Sequence, residues 1–360
     1  MKIVILQDQL RLGGTETQAL ELGGRWAGAG HTVRLVVFRP GGELAKTEAA
    51  RKLEPVVLQK RDWKLDGYAP KLRETVAELK PDVVVAFGRE ANAKLPKLAG
   101  LAPRVATVRS GRDQPARYWK GVLGAELAVA NSRWAAQTAM AKGAIKKKLH
   151  VIYSGLAKDP RAADPAAART EWRKQGRTPD DAVVMICVAG FRPGKGQDIL
   201  LRAAARLTQD PAWQLWLVGD GPLMKLCRQL AVELNLNKTV RFAGRVEDPA
   251  PYYAAADMGV LASEAESLPN FLIEAQAAGL PVVATAVGGA EECFEERKTG
   301  RSVPPLDIEA MTGAMARTIA DPEWRAAARE RAQERAWKLF DPAVNAAKWL
   351  GVFGDLGEGK

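Results

Sequence analysis

What most limits the fold of this chain is a repeated alternation. Short apolar runs, KIVIL, TVRLVVF, DVVVAFG, RVATVR, LAVAN and LHVIYSG, are separated by helix-length segments such as TETQALELGGRWAGAG and YAPKLRETVAELK. Continuous apolar runs read as strands covered on both faces, and strands separated by helices form parallel βαβ units. The alternation stops in the polar stretch AKDPRAADPAAARTEWRKQGRTPDD and restarts with AVVMICVAG, WQLWLVGDG, VRFAGRV, DMGVLAS and PVVATAVGG. A parallel-sheet pattern that stops and restarts calls for an α/β chain with two Rossmann-like domains in tandem. We place the domains at 1–170 and 171–335, followed by a helical tail at 336–360 that returns to the first domain.

The 360 residues, 47% of them hydrophobic, suffice to fill two cores. No apolar run approaches a membrane span, and the opening MKIVIL is broken at Gln7 and Asp8, too early for a signal peptide, so a cytoplasmic location is expected. Cys187, Cys227 and Cys293 lie far apart with no CxxC or Cys/His cluster, which argues against a zinc site or a disulfide framework and for small buried apolar residues. The charge is uneven. Residues 1–170 carry 30 Lys/Arg against 16 Asp/Glu, and residues 171–360 carry 23 against 26. The basic half suits an anionic partner, whether a membrane surface, a phosphorylated glycan or nucleic acid, or is simply a soluble basic surface.

Ligands of open parallel sheets bind beyond the carboxyl ends of the strands, and the unusual residues of this chain fall there. After the first strand, Gly13 and Gly14 precede a helix start at Thr15; they either let backbone amides approach an anion or form a plain tight turn. This is not GxGxxG, and no acidic residue closes the second strand. In VAGFRPGKG, Arg192 and Lys195 sit on a restricted loop that suits a departing diphosphate, without the spacing of a P-loop. Gly219 closes the strand of LVGDGP. In SEAESLPNFLIEAQAAGLP, Ser267 is expected to cap a helix starting near Leu268 or Pro269. The amides of 268–271, among them Asn270, would then form an anion site, with Glu266 just outside the helix and Glu274 inside it. Two carboxylates flanking an anion site fit a nucleotide-sugar, although an ordinary capped helix shows the same letters. The loop AVGGAEECF adds Gly288 and Gly289 after another strand.

Nearly the whole chain resembles glycosyltransferase family 4, the retaining enzymes of the GT-B fold. The resemblance is strongest in LVGDGP, VRFAGRVED, SEAESLPNFLIEAQAAGLPVVATAVGGAEE with its E-x7-E spacing, and KTGRSVPPLD; GGTE and GHTV support it more weakly. It implies two Rossmann-like domains with parallel sheets facing a central cleft, an acceptor on the N-terminal domain and a nucleotide-sugar on the C-terminal one. On that resemblance Glu266 would hold the donor sugar and Glu274 the ribose, Arg192 and Lys195 would stabilise the diphosphate, and Gly13 and Gly14 would approach it. The backbone near Val246 would meet the base. Gly190 and Gly219, Ser267 to Asn270 and Glu274 complete the donor set. Such enzymes transfer with retention by same-face attack, the leaving phosphate helping to deprotonate the acceptor. The chain has no DxD, so no metal or cofactor is expected.

It departs from the family twice. Gly190 stands where many relatives carry Arg, with Arg192 three residues before Lys195. Arg109, in TVRSGRD, stands where many carry His. Arg109 and Arg112 are candidates for an acidic acceptor. Basic and aromatic residues mix in RSGRDQPARYWKGVLG, which suits a membrane interface or nucleic acid unless Tyr118 and Trp119 belong to the core. The reading that follows is a retaining hexosyltransferase using a nucleotide-sugar, UDP-linked by default. Its acceptor would be an anionic glycan, glycolipid or lipopolysaccharide-type hydroxyl, with the enzyme held peripherally at a membrane and nucleic acid the less favoured partner. A nucleotide-sugar epimerase of the same fold, or a non-catalytic membrane- or nucleic-acid-binding GT-B module, are the alternatives.

Overall fold

The computed structural model describes residues 1–65 and 67–358 and divides the chain into two compact units. Unit 1 comprises Met1–Ala157 and Asp341–Lys360; unit 2 is Lys158–Phe340.

Unit 1 is built on a seven-stranded parallel sheet. Its strands are β1 (Lys2–Gln7), β2 (Thr32–Val37), β3 (Val56–Val57), β4 (Val83–Ala86), β5 (Arg104–Val108), β6 (Leu127–Ala130) and β7 (Leu149–Val151), in the spatial order β3-β2-β1-β4-β5-β6-β7. Its helices are α1 (Gly14–Gly28), α2 (Glu48–Lys52), α3 (Leu72–Leu79), α4 (Arg89–Lys94), α5 (Ala116–Leu123) and α6 (Arg133–Ala141). Strand side chains alternate between faces, so β1 splits its apolar run. Ile3 and Ile5 join Trp26 on one side of the sheet, while Val4 and Leu6 join Phe38 and Tyr118 on the other. A sheet buried on both faces explains why the strands read as unbroken apolar runs.

Unit 2 repeats the plan with β8 (Val183–Val188), β9 (Trp213–Val218), β10 (Val240–Gly244), β11 (Met258–Leu261), β12 (Val282–Thr285) and β13 (Gly300–Val303), ordered β10-β9-β8-β11-β12-β13. Its helices are α7 (Pro165–Gln175), α8 (Gln197–Ala204), α9 (Met224–Glu233), α10 (Ala250–Ala255), α11 (Asn270–Ala277), α12 (Ile308–Ile319) and α13 (Pro322–Phe340). Cys187, Cys227 and Cys293 are buried thiols, in keeping with their expected role as small core residues.

The sequence boundaries at 170/171 and 335/336 are moved by side-chain ties. Arg169 and Arg173 of α7 grip Asp257 at 2.6 and 2.5 Å, and α7 therefore belongs to unit 2, which begins at Lys158. At the other end, Arg335 donates to the Glu292 carbonyl at 2.8 Å, which keeps α13 in unit 2 through Phe340. The following helix, α14 (Pro342–Glu358), packs on α1: Trp26 Nε1 donates to Ala346 O at 3.3 Å, and the Trp26 ring meets Trp349 and Phe353 at 5.8 and 5.2 Å. Gly359 and Lys360, the last residues of the expected tail, lie outside the described residues.

Candidate functional site

In unit 2 the strand order reverses direction between β8 and β11, the point where loops from neighbouring strands diverge and leave a crevice at their carboxyl ends. The sequence candidates gather along this edge. Arg192 and Lys195 follow β8, Gly219 follows β9, Val246 follows β10, and Glu266 to Asn270 follow β11. Across the switch point, Lys195 Nζ meets Glu266 Oε1 at 2.6 Å, with Lys195 about one-third exposed and Glu266 mostly covered. The exposed Arg192 lies over Gly190: a Cβ there would touch its Nε at 3.5 Å, and the Arg192 amide donates to the Gly190 carbonyl. Gln197 Nε2 also donates to the Gly190 carbonyl, at 3.2 Å.

Backbone contacts hold these loops to one another. Glu264 N donates to Gly194 O at 2.9 Å, and Gly289 N to Ser267 O at 3.0 Å. Gly219 has φ +134 and a Cβ on it would strike the Ala189 carbonyl; Gly288 has φ +56 and a Cβ would fall on the Glu266 carbonyl. Only glycine fits at either position.

The helix starts later than expected. α11 begins at Asn270, and Pro269, not Ser267, occupies the cap position, with φ −73. The proline fixes the entry φ and has no amide to satisfy, while Ser267 and Leu268 are buried in the preceding loop. The first-turn amides therefore begin at Asn270, one or two residues later than expected, and those of Leu272 and Ile273 turn back to the Pro269 carbonyl. Glu274 sits within α11, where Tyr253 of α10 donates its hydroxyl to Oε2 at 2.7 Å. Burial pushes the Glu274 carboxyl up from its ordinary value, and the Tyr253 hydrogen bond opposes that shift. Burial, together with the adjacent carboxylate, pushes the Tyr253 hydroxyl well up. Sequence spacing gave no signal for Tyr253, which lies 21 residues from its partner.

Unit 1 has its own switch point, between β1 and β4, and a cavity of about 420 Å³ opens at that edge. Its lining includes Gln7, Asp8, Glu16, Phe87, Arg109 and Arg112. Arg109 Nη2 donates to Ser154 Oγ at 2.8 Å, and the guanidinium stands 5.7 Å from the Phe87 ring centroid. Its Nε and the Gln7 Nε2 are buried without a hydrogen-bond partner. Burial lowers the Arg109 pKa to about 10, against the opposing pull of Glu16 and Tyr118. Donors left unmatched in a polar cavity are costly unless something accepts from them.

Gly13 lies at the start of α1 with an extended φ of −165, and a Cβ there would meet only the movable carboxylate of Glu16. Its own backbone does not demand glycine. Tyr118 and Trp119 are 2% and 9% exposed and belong to the core, which overturns an interfacial role for these two rings. The two rings pack edge to face on the apolar side of α5, and the Tyr118 hydroxyl donates to Thr107 O. Glu16, Gln7 and Ser154 were not foreseen at the Arg109 site, since the β1–α1 segment and the stretch after β7 both lie far from Arg109 in sequence.

Two family descriptions match the chain: "Glycosyltransferase Family 4" over residues 12–159 and "Glycosyl transferases group 1" over residues 168–335. The lipopolysaccharide core biosynthesis glycosyltransferase LpsE of Rhizobium meliloti is 31% identical over 266 residues, covering 73% of each chain. A D-inositol 3-phosphate glycosyltransferase of Saccharomonospora viridis is 38% identical over 182 residues, 46% of this chain and 42% of that one. The fold is similar to that of Anabaena HepE, crystallised with UDP, with a TM-score of 0.84 at 22% identity over 99% of this chain and 100% of the other. With two Rossmann-like units in the GT-B architecture and a relative matched along most of its length, the chain belongs to glycosyltransferase family 4.

Proposed function

We propose that this glycosyltransferase moves a hexose, with retention, from a UDP-sugar bound by unit 2 to a hydroxyl of an anionic glycan, glycolipid or lipopolysaccharide-type acceptor bound by unit 1. The observation that carries the donor assignment is the Lys195–Glu266 pair at the β8/β11 switch point, beside the start of α11. A cation and first-turn amides suit the two phosphates, and carboxylates at 266 and 274 suit sugar and ribose hydroxyls. HepE, of the same fold, was crystallised with UDP, and LpsE is named for lipopolysaccharide core synthesis; both support the choice of substrates.

In this reading the acceptor oxygen bonds to the sugar C1 on the face from which the C1–phosphate bond breaks. The electron pair leaves on the diphosphate, where Lys195 and Arg192 stabilise it, and the acceptor proton passes to a phosphate oxygen. Glu266, held by Lys195, orients the sugar. Arg109 and Arg112 offer charge to an anionic acceptor. The step uses no side-chain nucleophile and no metal, so chelation with EDTA leaves the rate unchanged. We place the enzyme in the cytoplasm; among the described residues no helix is long and apolar enough to cross a membrane.

A thermal-shift screen across UDP-, GDP- and ADP-sugars tests the donor, because a ligand selective for the folded state raises its stability. A UDP-sugar should give the largest rise. No rise with any of them sinks the reading, and a UDP-sugar converted to its epimer without acceptor would replace it with an epimerase.

A further inference from the structure

We propose that the loop from Lys60 to Tyr68, together with Arg11 and Leu12, seats unit 1 on an anionic lipid bilayer with the Arg109 cavity opening beside the lipid surface. The inference rests on the reading of unit 1 as the acceptor domain and assigns the surface from which the acceptor arrives.

Four large apolar side chains stand out of this rim: Leu12, Trp63, Leu65 and Tyr68 are 43%, 52%, 55% and 41% exposed. The Trp63 and Tyr68 rings lean on each other at 5.3 Å between centroids, tilted by 31°. Exposed apolar groups gathered in one place mark a contact surface. The polar groups of the loop are used on its inner side. Gln59 Nε2 holds the Tyr68 carbonyl, Gly67 N donates to Asp8 Oδ1 at 3.2 Å, and Gln9 Nε2 donates to Asp62 Oδ2 at 3.2 Å. Asp62 also faces Arg39 at 3.6 Å and accepts from the Lys64 amide at 2.9 Å. By sequence the rim sets Arg11, Lys60, Arg61 and Lys64 against Asp62 and Asp66, a surplus of two positive charges, and the four cations are all exposed. Trp and Tyr flanked by Leu and by Lys or Arg match a headgroup boundary, where the rings take the interface and the cations meet anionic lipid.

Position separates this rim from other basic surfaces of the unit. Gly67 abuts both Asp8 and Glu90, and those two acids line the Arg109 cavity. A bilayer touching the rim therefore lies at the cavity mouth, and a lipid-linked hydroxyl reaches it without leaving the membrane. A second cationic face, Lys146, Lys147 and Lys148 beside the 54%-exposed Ile145, precedes β7. Residues 127–158 contain no Asp or Glu at all. That face nevertheless lies at the amino ends of the strands, opposite the cavity, so one flat surface cannot serve both. Stacking on a soluble glycan would use the two rings but leave Leu12 and Leu65 without a purpose, and lipid is therefore the favoured occupant.

The test is co-sedimentation of the full chain with phosphatidylcholine vesicles, with and without phosphatidylglycerol, for wild type, Trp63→Ser/Leu65→Ser and Lys146→Ser/Lys147→Ser/Lys148→Ser, each checked by thermal melting. Wild type should bind the anionic vesicles. The rim variant should bind about tenfold more weakly with an unchanged melt, because two interfacial side chains are removed. The lysine variant should change binding less than about twofold, being beyond a Debye length from the membrane. The proposal is overturned by wild type that ignores anionic vesicles, or by a lysine variant that loses binding while the rim variant keeps it. It is overturned equally if the rim variant keeps vesicle binding but loses affinity for a soluble oligosaccharide such as maltoheptaose. Vesicle binding needs no turnover: rim-dependent binding by protein that no nucleotide-sugar stabilises would leave this surface standing and refute the donor reading, and the converse result would do the opposite.

Discussion

Units 1 and 2 share the arrangement in which the first strand lies between the second and the fourth, yet the carboxyl ends of the two sheets are built differently. In unit 2 the loops are joined by main chain. Gly194 O meets Glu264 N, Ser267 O meets Gly289 N, and glycines at 219 and 288 lie against carbonyl oxygens. In unit 1 the loops after β1 and β2 are also tied by main chain, Leu44 N to Leu10 O with Gly42 against that carbonyl, but at the switch point between β1 and β4 side chains surround a cavity, with Arg109 and Gln7 presenting unmatched donors. Charge follows the same division: unit 1 carries 29 Lys/Arg against 17 Asp/Glu, and unit 2 carries 24 against 25. A site shaped by backbone admits little change of shape, whereas one shaped by side chains can be altered residue by residue. That contrast suits a common nucleotide-bearing ligand on one unit and a particular acceptor on the other.

The sharpest test of the contrast is Lys195→Ala, which should lower kcat/KM by about 10²–10³ at a temperature well below its melt, since one preorganised charge at a leaving group is worth that much. An unaltered rate would remove the donor site from this edge. Next is Gly288→Ala, whose Cβ falls on the Glu266 carbonyl at a φ of +56. It should cost about 2–4 kcal/mol in denaturant unfolding, against about 0.5 kcal/mol or less for Gly13→Ala in unit 1. Equal costs would break the distinction between backbone-built and side-chain-built edges.

Arg109→Lys should raise the acceptor KM about tenfold and leave donor-induced stabilisation untouched, because Lys lacks the planar fork that reaches Ser154. Since the Arg109 pKa is lowered to about 10, its charge is present below that pH and lost above it, and the wild-type rate should fall as pH rises through about 10. The smallest effect is expected for Glu274→Gln. A raised carboxyl pKa means that the folded state holds its proton longer than the unfolded chain, so wild-type stability declines as pH climbs from the ordinary carboxylate value through the raised one. The Gln variant should therefore melt at or above wild type at neutral pH and lose that advantage in acid, while binding UDP-sugar less well.

Eleven strands were legible because both faces of each sheet are buried, which leaves unbroken apolar letters. β3 and β13 were not: one has two residues, and the other, GRSV, is half polar, both at sheet edges. The unit 2 loops could be read because backbone that needs positive φ or meets a carbonyl oxygen leaves glycines in fixed places. Of the unit 1 cavity only Arg109 and Arg112 stood out; Gln7, Glu16 and Ser154 are ordinary where they stand and join them only through the fold.

The amino-acid sequence by itself determined two parallel-sheet units and the family. Local periodicity and glycine demands are short-range, and short-range physics is written residue by residue. Only the tertiary structure decided that Lys195 pairs with Glu266, that Pro269 rather than Ser267 takes the cap position of α11, and that Tyr118 and Trp119 are core while Trp63, Leu65 and Tyr68 face outward. Those outcomes depend on which neighbour removes a side chain from water, and neighbours distant in sequence are chosen only by packing.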